Sequence, residues 1–269
     1  MSEVERPLQA LLPSRREVID TAEGLLDDPP KVIMVFDNFR GAEDFSRRIN
    51  LAGKTMETRS AIAALLYHSN LYQTEENLPV ICSFAGEHTP NGTPGSAQVA
   101  RFLDSFNIKP EHIYLRRDTI TPSTDMIQFH SLIKSLQSEG PVAIVTTDDH
   151  VKRTAQEWIN HFADHRTNYQ LPKLYVLSPS TPQLQEIEIR QDIALAKKRR
   201  GWLLKTIRRG QSRDLNGGFT ETGAVFISAL PGPVRRILQL PVERFAHKHI
   251  PLALARNLKA AKAIQHKHH

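Results

Sequence analysis

The sequence has a single cysteine, Cys82, which excludes an intramolecular disulfide framework and any cysteine-based zinc cluster. It has no run approaching the roughly 20 apolar residues that cross a bilayer. Its opening stretch, MSEVERPLQALLPSRREVID, lacks a signal peptide's apolar core, so a reducing, cytoplasmic setting is the expectation. Two phosphate-binding fingerprints are missing. Gly86 and Gly92 are not followed by Lys-Ser or Lys-Thr, so there is no Walker A loop, and no G-x-G-x-x-G occurs. There is no internal repeat and no long low-complexity tract.

Negative charge is scarce in the last third. Through residue 190 the chain carries 19 Lys and Arg against 25 Asp and Glu; from residue 191 it carries 16 against 4. A charge of −6 thus gives way to +12, and this shift marks the strongest candidate boundary. The expected organisation is an N-terminal helical segment (1–30), an α/β domain (31–182) and a basic, mainly helical C-terminal extension with a disordered tail (183–269).

Short apolar runs alternate with amphipathic stretches. KVIMVF (31–36), PVICSF (79–84), a short run near 113–115, PVAIVTT (141–147) and a run near 174–177 are apolar, partly β-branched and bounded by turn residues, as buried parallel strands are. Helices are predicted over 57–70, from Ala97 to Phe106 with Ser96 as N-cap, over 125–137 and over 149–163. Strand, loop and helix in repetition imply right-handed crossovers and a Rossmann-like parallel sheet flanked by helices. Residues 183–209 read as helical, with Trp202, Leu203 and Ile207 expected against the domain.

Ligands of open parallel sheets bind at the carboxyl ends of the strands. That rule selects the segments 37–41, 86–96, 119–125 and 146–153. In VTTDDHVKR, His150 and Arg153 are three residues apart, so they can share one helix face and converge on an anion. The helix N-terminus adds amide donors and partial positive charge. The plainer alternative is that Asp148 or Asp149 caps the helix and the basic pair is solvated. Cys82, mid-strand, reads as a buried inert thiol and Trp158 as core. His88 beside His150 is a weak metal candidate, because no carboxylate ligand set accompanies them.

The order of these segments resembles the bacterial domain family of unknown function typified by YdcF, SanA and ElyC. Its late motif, a strand followed by Thr-Ser, two residues, His, two residues and Arg, is matched by Thr146, Thr147, His150 and Arg153. Arg59 in TRSAIAALLY is the counterpart of an Arg that opens the family's first helix. Gly86 and Ser96 match the loop leading to its second helix, with Ala97 where Glu is expected. IKPEHIYL matches its Pro-containing stretch before the third strand. Two segments depart: DNFRG (37–41) replaces a Gly-rich loop, and RRDTITPSTD keeps Thr119, with Ser123 and Asp125 as the nearest equivalents of the rest. The resemblance spans about residues 31–180.

The resemblance implies a phosphate-containing or nucleotide-like small molecule at the strand ends, with hydrolysis or transfer as the reaction class and no cofactor specified. Asp37, Arg59, Gly86, Ser96, Ser123, Thr147 and Arg153 are the expected ligand-binding residues, with His150 and Asp125 as an acid–base pair. The competing expectation is a non-catalytic module. In that reading the basic region 191–269 docks on an anionic membrane on its inner face, on nucleic acid or on an acidic partner.

Overall fold

The computed structural model describes residues 21–36, 45–85, 95–119, 122–165 and 172–211, together with 230 and 234. Five strands form one parallel sheet: β1 (Val32–Val35), β2 (Val80–Ala85), β3 (Ile113–Thr119), β4 (Val142–Val145) and β5 (Leu174–Leu177). Their order is β3-β2-β1-β4-β5. Five helices accompany them: α1 (Phe45–Tyr67), α2 (Gly95–Ser105), α3 (Pro122–Ser135), α4 (Val151–His165) and α5 (Ala196–Gln211). The Rossmann-like reading therefore holds, and each strand begins in an expected apolar run; β3, expected near 113–115, continues through Arg116, Arg117 and Asp118 to Thr119, as an edge strand partly open to solvent can.

β1, β4 and β5 are buried along their whole length, which is why they read as continuous apolar runs rather than alternating ones. Alternation instead sorts side chains between two cores. Ile33, Val35, Ile81, Ala143, Val145, Tyr175 and Leu177 pack on one face, with apolar residues of α1, α2 and α5. Val32, Met34, Cys82, Phe84, Val142, Ile144 and Val176 pack on the other, with Met126 and Phe129 of α3 and Trp158 of α4. Trp158 is fully buried against Phe129, ring centroids 5.7 Å apart.

Two expected helix spans are corrected. The first helix begins at Phe45, not near 57; Phe45, Ile49, Ala52 and Met56 recur at i, i+4, i+7 and i+11, a helical spacing that the charged and polar residues between them interrupt but do not break. Residues 183–195 are not helical. A 3-10 turn at Pro182–Gln185 is followed by a stretch that pairs with the end of α1: Asn70 N–H donates to Glu188 O (2.9 Å), Arg190 N–H to His68 O (2.8 Å), and Ser69 bridges Ile189. Hydrogen bonds to another segment replace those a helix would have made within itself.

The basic region contributes to the core. Leu184, Ile187, Ile189, Leu203, Leu204 and Ile207 are buried in the same cluster as α1 and α2. Gly210 brings α5 close to α1, since a Cβ there would lie 2.4 Å from Thr58 Cγ2. Trp202 departs from its expected place: it is 42% exposed, its ring edge-to-face with Phe106 at a centroid distance of 4.9 Å. The strand and helices expected beyond residue 211 lie outside the described residues.

Candidate functional site

In this strand order the connection leaving β1 runs to α1 on one face, and the connection leaving β4 runs to α4 on the other. Neighbouring strands whose connections diverge leave a crevice between them, the switch point at which open α/β sheets bind ligands. Phe36 follows β1 and donates its N–H to Val145 O (3.0 Å), so the two strand ends stay level up to the crevice.

Arg59 spans this point. Its side chain has no exposed surface; Nη1 donates to Phe36 O (2.5 Å) and Nη2 to Thr147 Oγ1 (3.1 Å). One guanidinium thus holds the residue after β1 to Thr147, the second residue after β4. Arg59 does not open its helix, as the family's Arg would; it is the fifteenth residue of α1. At 1.5 Å per residue, the preceding turns extend about 21 Å past it, beyond the carboxyl ends of the strands. Residues 61–66, after Arg59, are fully buried over the sheet.

Ser96 is not an N-cap. It lies within α2, its side chain is fully buried and its Oγ has no hydrogen-bond partner. Ser83 in β2, on the Ile81 face, and Ser60, next to Arg59, are likewise buried with unpartnered hydroxyls. Buried hydroxyls are satisfied in the great majority of native cases, so three on the α1–α2 side of the sheet form a notable group. Thr146 adds a fourth on the opposite side, by the alternation that places Thr147 towards Arg59.

Thr147 leads into a 3-10 turn, Asp148–His150, and His150 N–H donates to Thr147 O (3.0 Å). His150 and Arg153 are partly exposed where α4 begins, and His150 Nε2 is 3.7 Å from Asp149 Oδ2. The residue before the 3-10 turn, Thr147, makes no side-chain cap hydrogen bond. Asp148 accepts from Ser180 N–H (3.0 Å) and Ser180 Oγ–H (2.8 Å), tying the β4 turn to the turn after β5. That bond joins residues 32 apart in sequence, so no local signal announces it.

Asp125 is buried in the first turn of α3, and its carboxylate faces Cys82 closely enough to add to the effect of burial in pushing the thiol's pKa well up. Cys82 is accordingly a protonated core thiol. The candidate residues therefore divide: Arg59, Ser96 and Thr147 on the α1–α2 side, Asp125, His150 and Arg153 on the α3–α4 side. Asp37, Gly86 and His88 lie outside the described residues, and Ser123 falls within α3 with its side chain outside them. Among the described residues, no group of three or more His, Cys, Asp and Glu could hold a metal ion.

Comparisons with protein families, with curated proteins and with solved structures find no match. The site therefore stands on its geometry.

Proposed function

We propose that the chain is a divergent YdcF-like domain protein that binds a phosphate-containing, nucleotide-like small molecule at the carboxyl ends of its strands. The observation that carries this reading is Ser96, a fully buried, unpartnered hydroxyl in the first turn of α2. A helix N-terminus offers orphan amides and partial positive charge, and a phosphate oxygen would satisfy them together with the hydroxyl. Arg59 has a positioning role in this reading: already bonded to Phe36 and Thr147, it keeps the crevice walls in register. Arg153, on the other side of the sheet from Ser96, supplies positive charge to a part of the ligand that extends across the strand ends. His150 and Asp125 are the acid–base candidates for hydrolysis or transfer at a phosphoester.

The test is to release small molecules from the purified protein and identify them by mass spectrometry, then to titrate AMP and inorganic phosphate calorimetrically. A phosphorylated compound is expected. Ser96→Ala and Arg153→Ala are expected to weaken the binding of at least one probe by roughly 5- to 150-fold, the scale of one charge-assisted hydrogen bond. If nothing phosphorylated is released and neither probe binds, the reading fails.

A further inference from the structure

We infer that the outer face of α5 docks the protein on an anionic lipid surface, an inference independent of the ligand reading above. At 100° per residue, Lys197, Lys198, Gly201, Trp202, Lys205, Arg208 and Arg209 fall on one continuous arc, and all seven are exposed. Leu203, Leu204, Thr206 and Ile207 occupy the buried side. α5 has no acidic residue.

Arginines and lysines of this helix are used differently. Arg199 donates to Phe106 O, Arg200 to Ile187 O and Gln185 O, and Arg208 to Gln185 Oε1. The planar guanidinium forks hold the protein's own carbonyl groups. Lys197, Lys198 and Lys205 stand outward on flexible stems. Two exposed apolar groups accompany them, one on the arc and one just before the helix. Trp202 is 42% exposed, and Leu195, immediately before the helix, is the most exposed large hydrophobic residue described, at 73%. Leu195 also has a positive φ of 59°, unusual for a γ-branched residue.

This mixture fits lipid better than nucleic acid. An indole sits at the boundary between headgroups and acyl chains, and leucine enters below it. Lysine stems lie along apolar surface and place their ammonium groups at phosphate level. A nucleic acid would use the cations and the indole but leave Leu195 without a role. No described helix is long and apolar enough to cross a membrane, so the contact is peripheral. Within the arc, a Cβ on Gly201 would meet nothing within 4 Å, so the helix backbone can approach a flat surface there.

The experiment uses the full chain with phosphatidylcholine vesicles, with and without phosphatidylglycerol, read by sedimentation and tryptophan emission. The chain has two tryptophans; Trp158 is fully buried, so a blue shift on binding, and quenching by brominated lipid, report Trp202. Binding is expected only with phosphatidylglycerol, to fall steeply with salt, and to weaken by roughly fivefold for each lysine removed. The double variant Lys198→Glu, Lys205→Glu and the single variant Trp202→Ala change exposed side chains, so circular dichroism should show an unaltered fold. Absence of binding overturns the inference, as does equal binding to neutral vesicles. So does vesicle binding that neither shifts Trp202 nor responds to the charge reversal, because another part of the chain would then carry it. Displacement from vesicles by an RNA or duplex DNA oligonucleotide at equal charge concentration would favour nucleic acid and also overturn it.

Discussion

Arg59 links two strand ends that are far apart in sequence, and its guanidinium is matched to two acceptors of different chemistry. Arg59→Met keeps the stem but strands Phe36 O and Thr147 Oγ1 in a dry environment. A loss of about 3 kcal/mol in urea unfolding is expected, and Arg59→Lys should recover little of it, because an ammonium lacks the fork. His68, just past α1, carries a second residue-scale prediction. Its Nε2 lies 2.8 Å from Phe106 O, which can only accept, so Nε2 holds the proton and Nδ1 is bare. Burial, reinforced by Arg199 and Arg190, pushes its pKa from 6.5 down to about 4. The unfolded chain then binds more protons than the folded one between these values. Stability is full above pH 6.5 and falls as pH drops towards 4, by up to about 3 kcal/mol. Urea midpoints measured from pH 7 to 4 should show this slope, and His68→Gln should flatten it.

At the scale of one element, α5 contains two glycines with opposite consequences. Gly201 faces open space, so Gly201→Ala should stabilise the protein by about 0.5–1 kcal/mol through helix propensity. Gly210 lies against Thr58, the neighbour of Arg59 on α1, where the same change drives a methyl into Thr58 Cγ2. Gly210→Ala should cost about 1–3 kcal/mol, the range for overpacking, with thermal midpoints moving in opposite directions for the two variants. Leu203→Ala, which empties a fully buried position between α5 and α1, should cost about 2–5 kcal/mol. The amphipathic pattern of α5 was legible in the sequence, but the placement of Trp202 was not. Its apolar character suggests burial, but its place on the helix wheel beside Lys198 and Arg209 leaves it outside the face formed by Leu203, Leu204 and Ile207.

At the scale of the molecule, the basic region and the parallel sheet share one core. Deleting residues 191–269 should give an aggregating or unfolded product, because Leu203, Leu204 and Ile207 cover apolar side chains of α1 and α2. A soluble, cooperatively folding remainder would show that α5 is dispensable to that core. The parallel class and the positions of β1, β4 and β5 followed from the sequence alone, because strands buried on both faces must be apolar throughout, and such runs are visible without knowing their neighbours; the edge strand β3, charged in its second half, was legible only at its start. The segment from Thr146 to Arg153 was visible for a similar reason: strand end, turn and helix start are all local. Three features were decided only by tertiary structure. The order β3-β2-β1-β4-β5 put the switch point between β1 and β4; Arg59 reached it as the fifteenth residue of a long helix, and no local signal names its two acceptors; and Asp148 turned to Ser180. Each depends on groups tens of residues apart coming within hydrogen-bond distance, which periodicity, a local property, does not encode.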